Sequence, residues 1–247
     1  MASLLPAHTF APAAGGSPRA RYLQSGIAGV AMRRLRSRVL RLTSARGGAV
    51  YACSKRALDI VVSSAALAFT APLLGLVAVA IKLESKGPVL FSQTRIGKDG
   101  QPFTMWKFRS MYADAEARKA ALAATSERTG AFKLKSDPRI TRVGRLIRKA
   151  SLDEIPQLFN VLNGTMSLVG PRPPLPDEVA AYSFVERGRL AVKPGITCTW
   201  QVSGRADLAF DRQVELDLAY INRPSVLVDL GLLFRTVPAV LTARGAY

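Results

Sequence analysis

The sequence predicts a single, mainly helical α+β domain mounted on a membrane helix. Residues 60–81 carry no charged side chain, a length that can cross a bilayer whose hydrocarbon core is about 30 Å thick. Two short extended segments around Lys98-Asp99-Gly100 predict a small hairpin, and helical spacing of apolar residues follows within 137–149. We therefore expect an extension of residues 1–54, a membrane helix of residues 55–86 and a globular domain of residues 87–247.

Composition favours membrane contact and an anionic partner. Of the 247 residues, 49% are hydrophobic, and the formal net charge is +18. That charge indicates nucleic acid, anionic lipid or a polyphosphate substrate, and it does not choose among them. Cys53 and Cys198 form no zinc or redox motif and indicate a reducing compartment. His8 is the only histidine, which excludes histidine-based triads and leaves carboxylates, lysine, arginine or a metal for catalysis.

Two segments outside the membrane helix are expected to lie on the membrane surface. Residues 1–54 contain no acidic side chain and read as a largely disordered basic extension. Within it, apolar residues from Met32 to Leu42 recur at helical spacing among arginines, as in a basic amphipathic helix. A transit peptide and a wholly disordered tail are the alternatives. Residues 226–241 are apolar but carry charges and a proline, which predicts a second interfacial helix.

The apolar segment is predicted to enter the membrane and return to the same side. Pro72 stands near its centre, where proline removes a backbone hydrogen bond and kinks a helix. Basic residues flank both ends, and short basic segments tend to stay in the cytoplasm. Ser63, Ser64 or Thr70 could bond the carbonyls freed at the break. The alternative is a kinked helix that crosses the bilayer.

The predicted hairpin carries cations on one face of its second strand. Lys107 and Arg109 alternate with Trp106 and Phe108, so the two cations share a face. They line a pocket in one interpretation and form solvated surface charge in the other.

Asp153 and Glu154 are the candidate catalytic residues. They follow an arginine-rich helical segment that places Arg148 just before them. A helix cap explains the same local sequence, either as a capping box from Ser151 to Glu154 or with Asp153 as the cap ahead of Pro156. The local sequence leaves catalysis and capping equally open.

Arg172 lies in a proline-stiffened loop, Val169-Gly170-Pro171-Arg172-Pro173. A guanidinium grips phosphate oxygens in a bidentate way, and the prolines reduce the entropy lost in holding it there. A phosphate site and a plain structural turn fit this loop equally well.

A series of motifs occurs in order between Lys55 and the C-terminus. They are Lys55-Arg56 with Asp59, Gly87-Pro88-Val89 with Phe91, Gln93, Arg95 and Gly97, Lys107-Phe108-Arg109-Ser110-Met111, Ser151-Leu152-Asp153-Glu154, Val169-Gly170-Pro171-Arg172-Pro173, Lys193-Pro194-Gly195-Ile196-Thr197, and Gln201-Val202-Ser203-Gly204-Arg205. Together they resemble the bacterial sugar transferase family, the monotopic polyprenyl-phosphate phosphoglycosyl transferases. Residues 1–54 lie outside the resemblance.

The resemblance implies an enzyme on the cytoplasmic face of the bacterial inner membrane that initiates exopolysaccharide or glycan synthesis. Such an undecaprenyl-phosphate sugar phosphotransferase moves a sugar-1-phosphate from a UDP-sugar to undecaprenyl phosphate and releases UMP. By resemblance, Asp153 is the nucleophile, forms an aspartyl-phosphosugar intermediate and lies at the Mg²⁺, while Glu154 assists proton transfer or holds the metal. The helix break maps to Pro72. Phosphate binding maps to Arg148 and Arg172, and less directly to Lys107, Arg109 and Arg205.

Two positions depart from the family pattern. Cys198 stands where glycine is usual, and Ala71 stands beside Pro72 where serine is common. The rival hypothesis is a non-enzymatic basic protein that binds nucleic acid or tethers partners at the membrane. It explains the net charge but not the apolar segment, and since no nucleic-acid motif is visible, we expect no nucleic-acid partner.

Overall fold

The computed structural model describes residues 45–115, 117, 137–204 and 208–241. Its helices are α1 (Ala45–Glu84), α2 (Arg142–Lys149), α3 (Gln157–Leu162), α4 (Pro176–Ala181), α5 (Phe210–Asn222) and α6 (Val226–Leu241). Its strands are β1 (Leu90–Ile96), β2 (Pro102–Phe108), β3 (Ser167–Val169) and β4 (Gly195–Thr197). The mainly helical α+β class is confirmed. The predicted surface helix within residues 32–42 lies outside the described residues.

The predicted hairpin is present. β1 pairs antiparallel with β2, from Leu90 opposite Phe108 to Ile96 opposite Pro102. The connection is a tight turn at Lys98–Gly100, with Asp99 and Gly100 in the left-handed region at φ 57° and 76°. Two consecutive left-handed residues suit a short hairpin turn, because they match the twist of the flanking strands.

A second two-stranded sheet was not predicted. β3 pairs parallel with β4, with Ser167 opposite Gly195 and Val169 opposite Thr197. The backbones meet just beyond β3, where a Cβ on Gly195 would overlap the backbone nitrogen of Gly170. The pairing continues as Gly195 N donates to the Pro171 carbonyl at 2.9 Å. The proline-rich loop is thereby attached to the segment containing β4.

The core consists of two clusters, and α1 contributes to both. The first contains the side chains Met105, Leu158, Val161, Met166, Leu168, Val169 and Leu232, against which Val62, Ala66 and Leu67 of α1 pack. The second contains Val77 and Ile81 of α1 with Phe108 and Ile147. The apolar helix is therefore also a structural part of the domain.

Polar contacts attach the N-terminal part of α1 to the domain. Lys55 forms an ion pair with the fully buried Asp229 of α6 at 3.0 Å. Arg56 donates to the carbonyls of Val161 and Leu162 at 2.6 and 2.7 Å, which satisfies the C-terminal end of α3. Asp59 accepts hydrogen bonds from the Ser167 hydroxyl and from the Leu168 backbone amide, both at 3.0 Å. The Lys-Arg and Asp motif thus joins the membrane helix to α3, β3 and α6.

The C-terminal end of α1 is attached to the same domain. The Arg109 guanidinium donates to the carbonyls of Ser85 and Lys86 at 2.7 and 2.6 Å. Glu84 accepts from the backbone amides of Arg142 and Val143 at 2.7 and 3.0 Å, at the start of α2. A carboxylate suits this position, because the first amides of a helix lack partners within the helix.

Between these attachments α1 presents an apolar surface. The helix runs through Pro72, and Phe69, Leu76 and Leu83 are among its exposed side chains. Among the described residues α1 is the single helix that is long and apolar enough to cross a membrane. Residues 45–54, which the sequence predicts as part of a disordered extension, belong to it. The return of the chain at Pro72 stays a prediction.

The C-terminal apolar segment forms α6, as predicted. One charged residue that interrupts this apolar segment, Asp229, has a structural role. Its carboxylate points inward to Lys55 and also accepts a hydrogen bond from the Tyr220 hydroxyl at 2.6 Å. Leu227 and Phe234 are exposed on the helix. Their position at a membrane interface stays a prediction.

Candidate active site

A shallow, open cleft lies where the hairpin, the acidic turn, the proline-rich loop and β4 meet. Its lining combines three kinds of groups: the cations Arg95, Lys107 and Arg172, the carboxylate Glu154 with the amides Gln157 and Gln201, and the apolar or small residues Met105, Pro173, Gly195 and Ile196. Such a lining suits an anionic ligand that also carries neutral polar groups.

The acidic pair lies in a single 3₁₀ turn, Leu152–Glu154, between α2 and α3. Ser151 precedes it in the left-handed region at φ 54°, and its side chain makes no capping hydrogen bond. Pro156 occupies the cap position of α3, where no side-chain cap is present. Both capping interpretations of this sequence are therefore wrong. A non-glycine residue held at positive φ costs about 1 kcal/mol or more, and such strain is common at functional sites.

Glu154 is held in its ionised form. The Lys107 ammonium donates to Glu154 Oε1 at 2.7 Å. Burial opposes ionisation, but Lys107, followed by Arg172 and Arg95, lowers the pKa of Glu154 to about 2. The carboxylate is thus charged at neutral pH and fixes the position of the lysine in the cleft.

Asp153 has the opposite character. Its side chain is buried, and no described cation forms a salt bridge with it. Burial, with the charge of Glu154, raises the pKa of Asp153 to about 6, against the opposing effects of Lys107 and Arg148. At neutral pH this carboxylate is largely ionised but poorly solvated, which is a state suited to nucleophilic attack.

Arg95 connects the hairpin to the proline-rich loop. Its side chain is buried, and Nη1 donates to the Pro173 carbonyl at 3.0 Å, next to Arg172. Its other nitrogens donate to Gln93 Oε1 at 3.1 and 2.7 Å. Burial and the neighbouring Arg172 lower the pKa of Arg95 to about 10, so the guanidinium remains charged at neutral pH. Sequence reasoning placed Arg95 in a motif but not in the site. The sequence signal that could have indicated its partner is the spacing from Gln93, because residues two apart lie on the same face of a strand.

The other predicted cations take different positions. Lys107 and Arg172 line the cleft, while Arg148 lies near enough to Asp153 to lower its pKa. Arg109 instead donates to carbonyls at the end of α1, so the structure does not bring it to the cleft with Lys107. Arg205 lies outside the described residues. The phosphate-binding roles of these residues stay predictions.

Two amides of the cleft were not predicted as site residues. Gln157 begins α3 and is 3% exposed. Gln201 accepts from the Cys198 thiol at 3.0 Å through Oε1. The unusual Cys198 is buried, and burial raises the pKa of its thiol. It therefore serves as a neutral hydrogen-bond donor that orients a cleft residue.

The donor set fits magnesium. No group of three or more His, Cys, Asp or Glu side chains that could hold a metal occurs in the described part of the chain. Magnesium, however, is commonly held by one or two carboxylates together with substrate phosphates and water. Asp153 and Glu154 offer the oxygen ligands that it prefers, beside a cleft suited to phosphate.

Comparison with known proteins decides the family. The family described as Bacterial sugar transferase matches residues 50–243, which include most of α1, both sheets and the entire cleft. The chain belongs to the bacterial sugar transferase family. The resemblance of the ordered motifs is thereby confirmed.

Several curated members of this family are similar to the chain. The galactosyl transferase CpsE of Streptococcus agalactiae is 49% identical over 65% of the chain and 36% of the relative. The exopolysaccharide production protein ExoY of Sinorhizobium fredii is 41% identical over 78% of the chain and 88% of the relative. The undecaprenyl-phosphate galactose phosphotransferase of Salmonella typhimurium is 45% identical over 78% of the chain and 41% of the relative. The matched part of this sugar transferase thus spans less than half of two of these relatives and most of the third.

Proposed function

We propose that this sugar transferase moves a sugar-1-phosphate from a UDP-sugar to undecaprenyl phosphate and releases UMP, as an initiating step of exopolysaccharide or glycan synthesis. The name of the Salmonella relative supports the lipid acceptor and the type of group transferred. The observation that carries the proposal is the buried Asp153, which has no salt bridge to a described cation and lies beside a cleft lined by Arg95, Lys107 and Arg172.

In the first half-reaction, a carboxylate oxygen of Asp153 attacks the phosphorus that bears the sugar. The bond from that phosphorus to the bridging oxygen breaks, and UMP departs with the electron pair. Arg172, Lys107 and Arg95 offset the charge of the diphosphate, which otherwise repels the attacking carboxylate. An aspartyl-phosphosugar remains on the enzyme.

In the second half-reaction, a phosphate oxygen of undecaprenyl phosphate attacks the same phosphorus. The bond to Asp153 breaks, and the carboxylate is regenerated. This acceptor is an anion at neutral pH, so it needs no general base to become nucleophilic. The role that fits Glu154 is therefore to hold Lys107 toward the substrate, since it is already ionised and bonded to that lysine.

The residues that would hold Mg²⁺ are Asp153 and Glu154. When bound, the ion would supply positive charge that stabilises the diphosphate and the departing UMP. Arg95, Lys107 and Arg172 also bring positive charge to the cleft, so metal and protein would share this task.

We further propose that α1 enters the cytoplasmic leaflet of the bacterial inner membrane and returns to the same side, with Pro72 at the break. The support is that both ends of α1 are attached to one domain, through Lys55 to Asp229 and through Glu84 to the start of α2. A helix that crosses the bilayer separates its ends by about 30 Å of hydrocarbon. Basic residues at both flanks favour the cytoplasmic side.

The covalent step is tested with UDP-sugar alone in detergent. Wild-type enzyme should gain the mass of one phosphosugar on the peptide that contains Asp153 and release one equivalent of UMP. Asp153→Asn should abolish the adduct, UMP release and transfer, because the amide lacks the attacking oxyanion. The matched control is Asp177→Asn, an exposed residue of α4 that does not line the cleft, which should keep wild-type turnover. Near-wild-type transfer by Asp153→Asn, or an adduct on another residue, would contradict the mechanism.

A further inference from the structure

Gln157 is a buried residue whose side-chain amide has no hydrogen-bond partner in the described part of the chain. It is 3% exposed, lies three residues after Glu154 and lines the cleft. Its amide forms no hydrogen bond with any side chain or backbone group that the structure describes. It is not among the fully enclosed unsatisfied groups of the described residues, so its polar atoms remain open to the cleft. The amide therefore lies beside the turn of Asp153 and Glu154 with its hydrogen-bonding capacity available to a ligand.

Other buried amides of the domain are satisfied. Asn160, one turn later on α3, accepts from Trp106 N at 3.1 Å and donates to the carbonyl of Thr104 at 2.7 Å. Gln213 of α5 donates to the carbonyl of Leu208 at 2.9 Å. The exception is therefore specific to the amide that reaches the cleft, which indicates that its partner is a ligand.

The chemistry of an amide identifies the part of the substrate it binds. Arg95, Lys107 and Arg172 supply charged donors for phosphate oxygens. An amide is neutral and offers both a donor and an acceptor, which matches a hydroxyl group, because a hydroxyl also donates and accepts. Gln157 follows Asp153 by four residues, at the start of the next helix, and lines the same cleft as Glu154, so the hydroxyls expected near it belong to the sugar on the phosphorus under attack.

We infer that Gln157 binds a hydroxyl of the transferred sugar and contributes to sugar recognition. The inference rests on the proposed function. It assigns the phosphates to the cations and the sugar to the amide, within one cleft. A site that bonds a substrate hydroxyl discriminates strongly against an analogue that lacks it, because the buried amide is then left unpaired.

Gln157→Met tests the assignment by removing the amide while preserving length. Full-length enzyme in detergent should be as stable as wild type, because the variant loses no hydrogen bond to a described residue. Its kcat/KM for the preferred UDP-sugar should fall about 10- to 100-fold. Its affinity for UMP, measured by calorimetry, should stay unchanged, because UMP lacks the transferred sugar. The matched control Gln213→Met should lose thermal stability and keep wild-type turnover per folded molecule.

A panel of monodeoxy UDP-sugars identifies the contact. For wild type, kcat/KM should be at least tenfold lower with one of these analogues than with the parent UDP-sugar. For Gln157→Met the same analogue should lower kcat/KM little, because the hydrogen bond from Gln157 to the hydroxyl is already absent. The inference is overturned if the folded variant turns over like wild type, if UMP affinity falls as far as turnover, or if no analogue shows this coupling. A wild type that releases no UMP from any UDP-sugar overturns the proposed function and this inference with it. If wild type turns over and Gln157→Met is equally active, this inference is overturned and the proposed function stands.

Discussion

Asp153 and Glu154 are adjacent in sequence and chemically opposite in the fold. Contact with Lys107 keeps the pKa of Glu154 at about 2, whereas burial raises that of Asp153 to about 6. Two neighbouring carboxylates with separated pKa values can take different roles at one pH. The charged, lysine-bound group suits positioning, and the poorly solvated group suits attack.

The raised pKa of Asp153 predicts a pH dependence of the first half-reaction. A carboxyl group attacks only when deprotonated, so the active fraction should fall about tenfold per pH unit below pH 6 and level off above it. The measurement is the rate of adduct formation at limiting UDP-sugar between pH 4.5 and 8. Lipid acceptor is omitted, because its phosphate titrates in the same range.

Circular dichroism at each pH provides the control for unfolding in that experiment. A rate that stays constant from pH 8 down to pH 5, with the protein folded, would show that the attacking group does not have the raised pKa of Asp153.

At the level of single residues, the sequence identified the acidic pair and part of the cationic lining. Strand alternation placed Lys107 and Arg109 on one face, but β2 ends at Phe108, so the alternation no longer governs Arg109. Gln157 was missed because its importance lies in the absence of a partner in the described structure, and no sequence pattern reports whether a buried amide is satisfied.

Among the elements, long or strongly patterned segments were predictable and short ones were not. The uncharged run predicts α1, and the alternating segments around Lys98-Asp99-Gly100 predict the hairpin. β3 and β4 have three residues each, which is too short to show a period of two. Their pairing nevertheless matters for the site, because it attaches the loop of Arg172 to Gly195, and both line the cleft.

Gly195→Ala should therefore impair turnover through the backbone. The added Cβ would overlap Gly170 N, so the strands must separate and the Arg172 loop must shift, with a loss of stability of about 1–3 kcal/mol. We expect at least tenfold lower kcat/KM, measured on folded enzyme beside its chemical denaturation curve.

Gly231→Ala is the matched control for that change. No atom lies within 4 Å of a Cβ at Gly231, which is inside α6, so alanine should leave turnover unchanged and favour the helix. Wild-type turnover and stability of Gly195→Ala would show that the close approach to Gly170 does not position the site.

On the scale of the whole molecule, α1 is a core helix that is also long and apolar enough to cross a membrane. It spans 40 residues, or about 60 Å, and one side packs in both core clusters. The exposed side is apolar, with Phe69, Leu76 and Leu83 toward solvent in the isolated chain. Apolar surface of this extent is typical of a helix that contacts a membrane or a partner, and contact with a membrane agrees with the lipid acceptor proposed above.

The topology proposed for α1 predicts that the N-terminal extension and the catalytic domain share the cytoplasmic side. The reason is that Lys55 and Glu84 are both attached to one domain, whereas the ends of a crossing helix lie on opposite sides of about 30 Å of hydrocarbon. In a Cys53→Ser background, Ala20→Cys and Lys98→Cys place a single accessible thiol in the extension or at the hairpin turn, since Cys198 is buried. Both thiols should resist an impermeant reagent in intact cells and react after permeabilisation, with a periplasmic protein as the positive control. Labelling of Ala20→Cys in intact cells while Lys98→Cys stays protected would establish a crossing helix and exclude the return at Pro72.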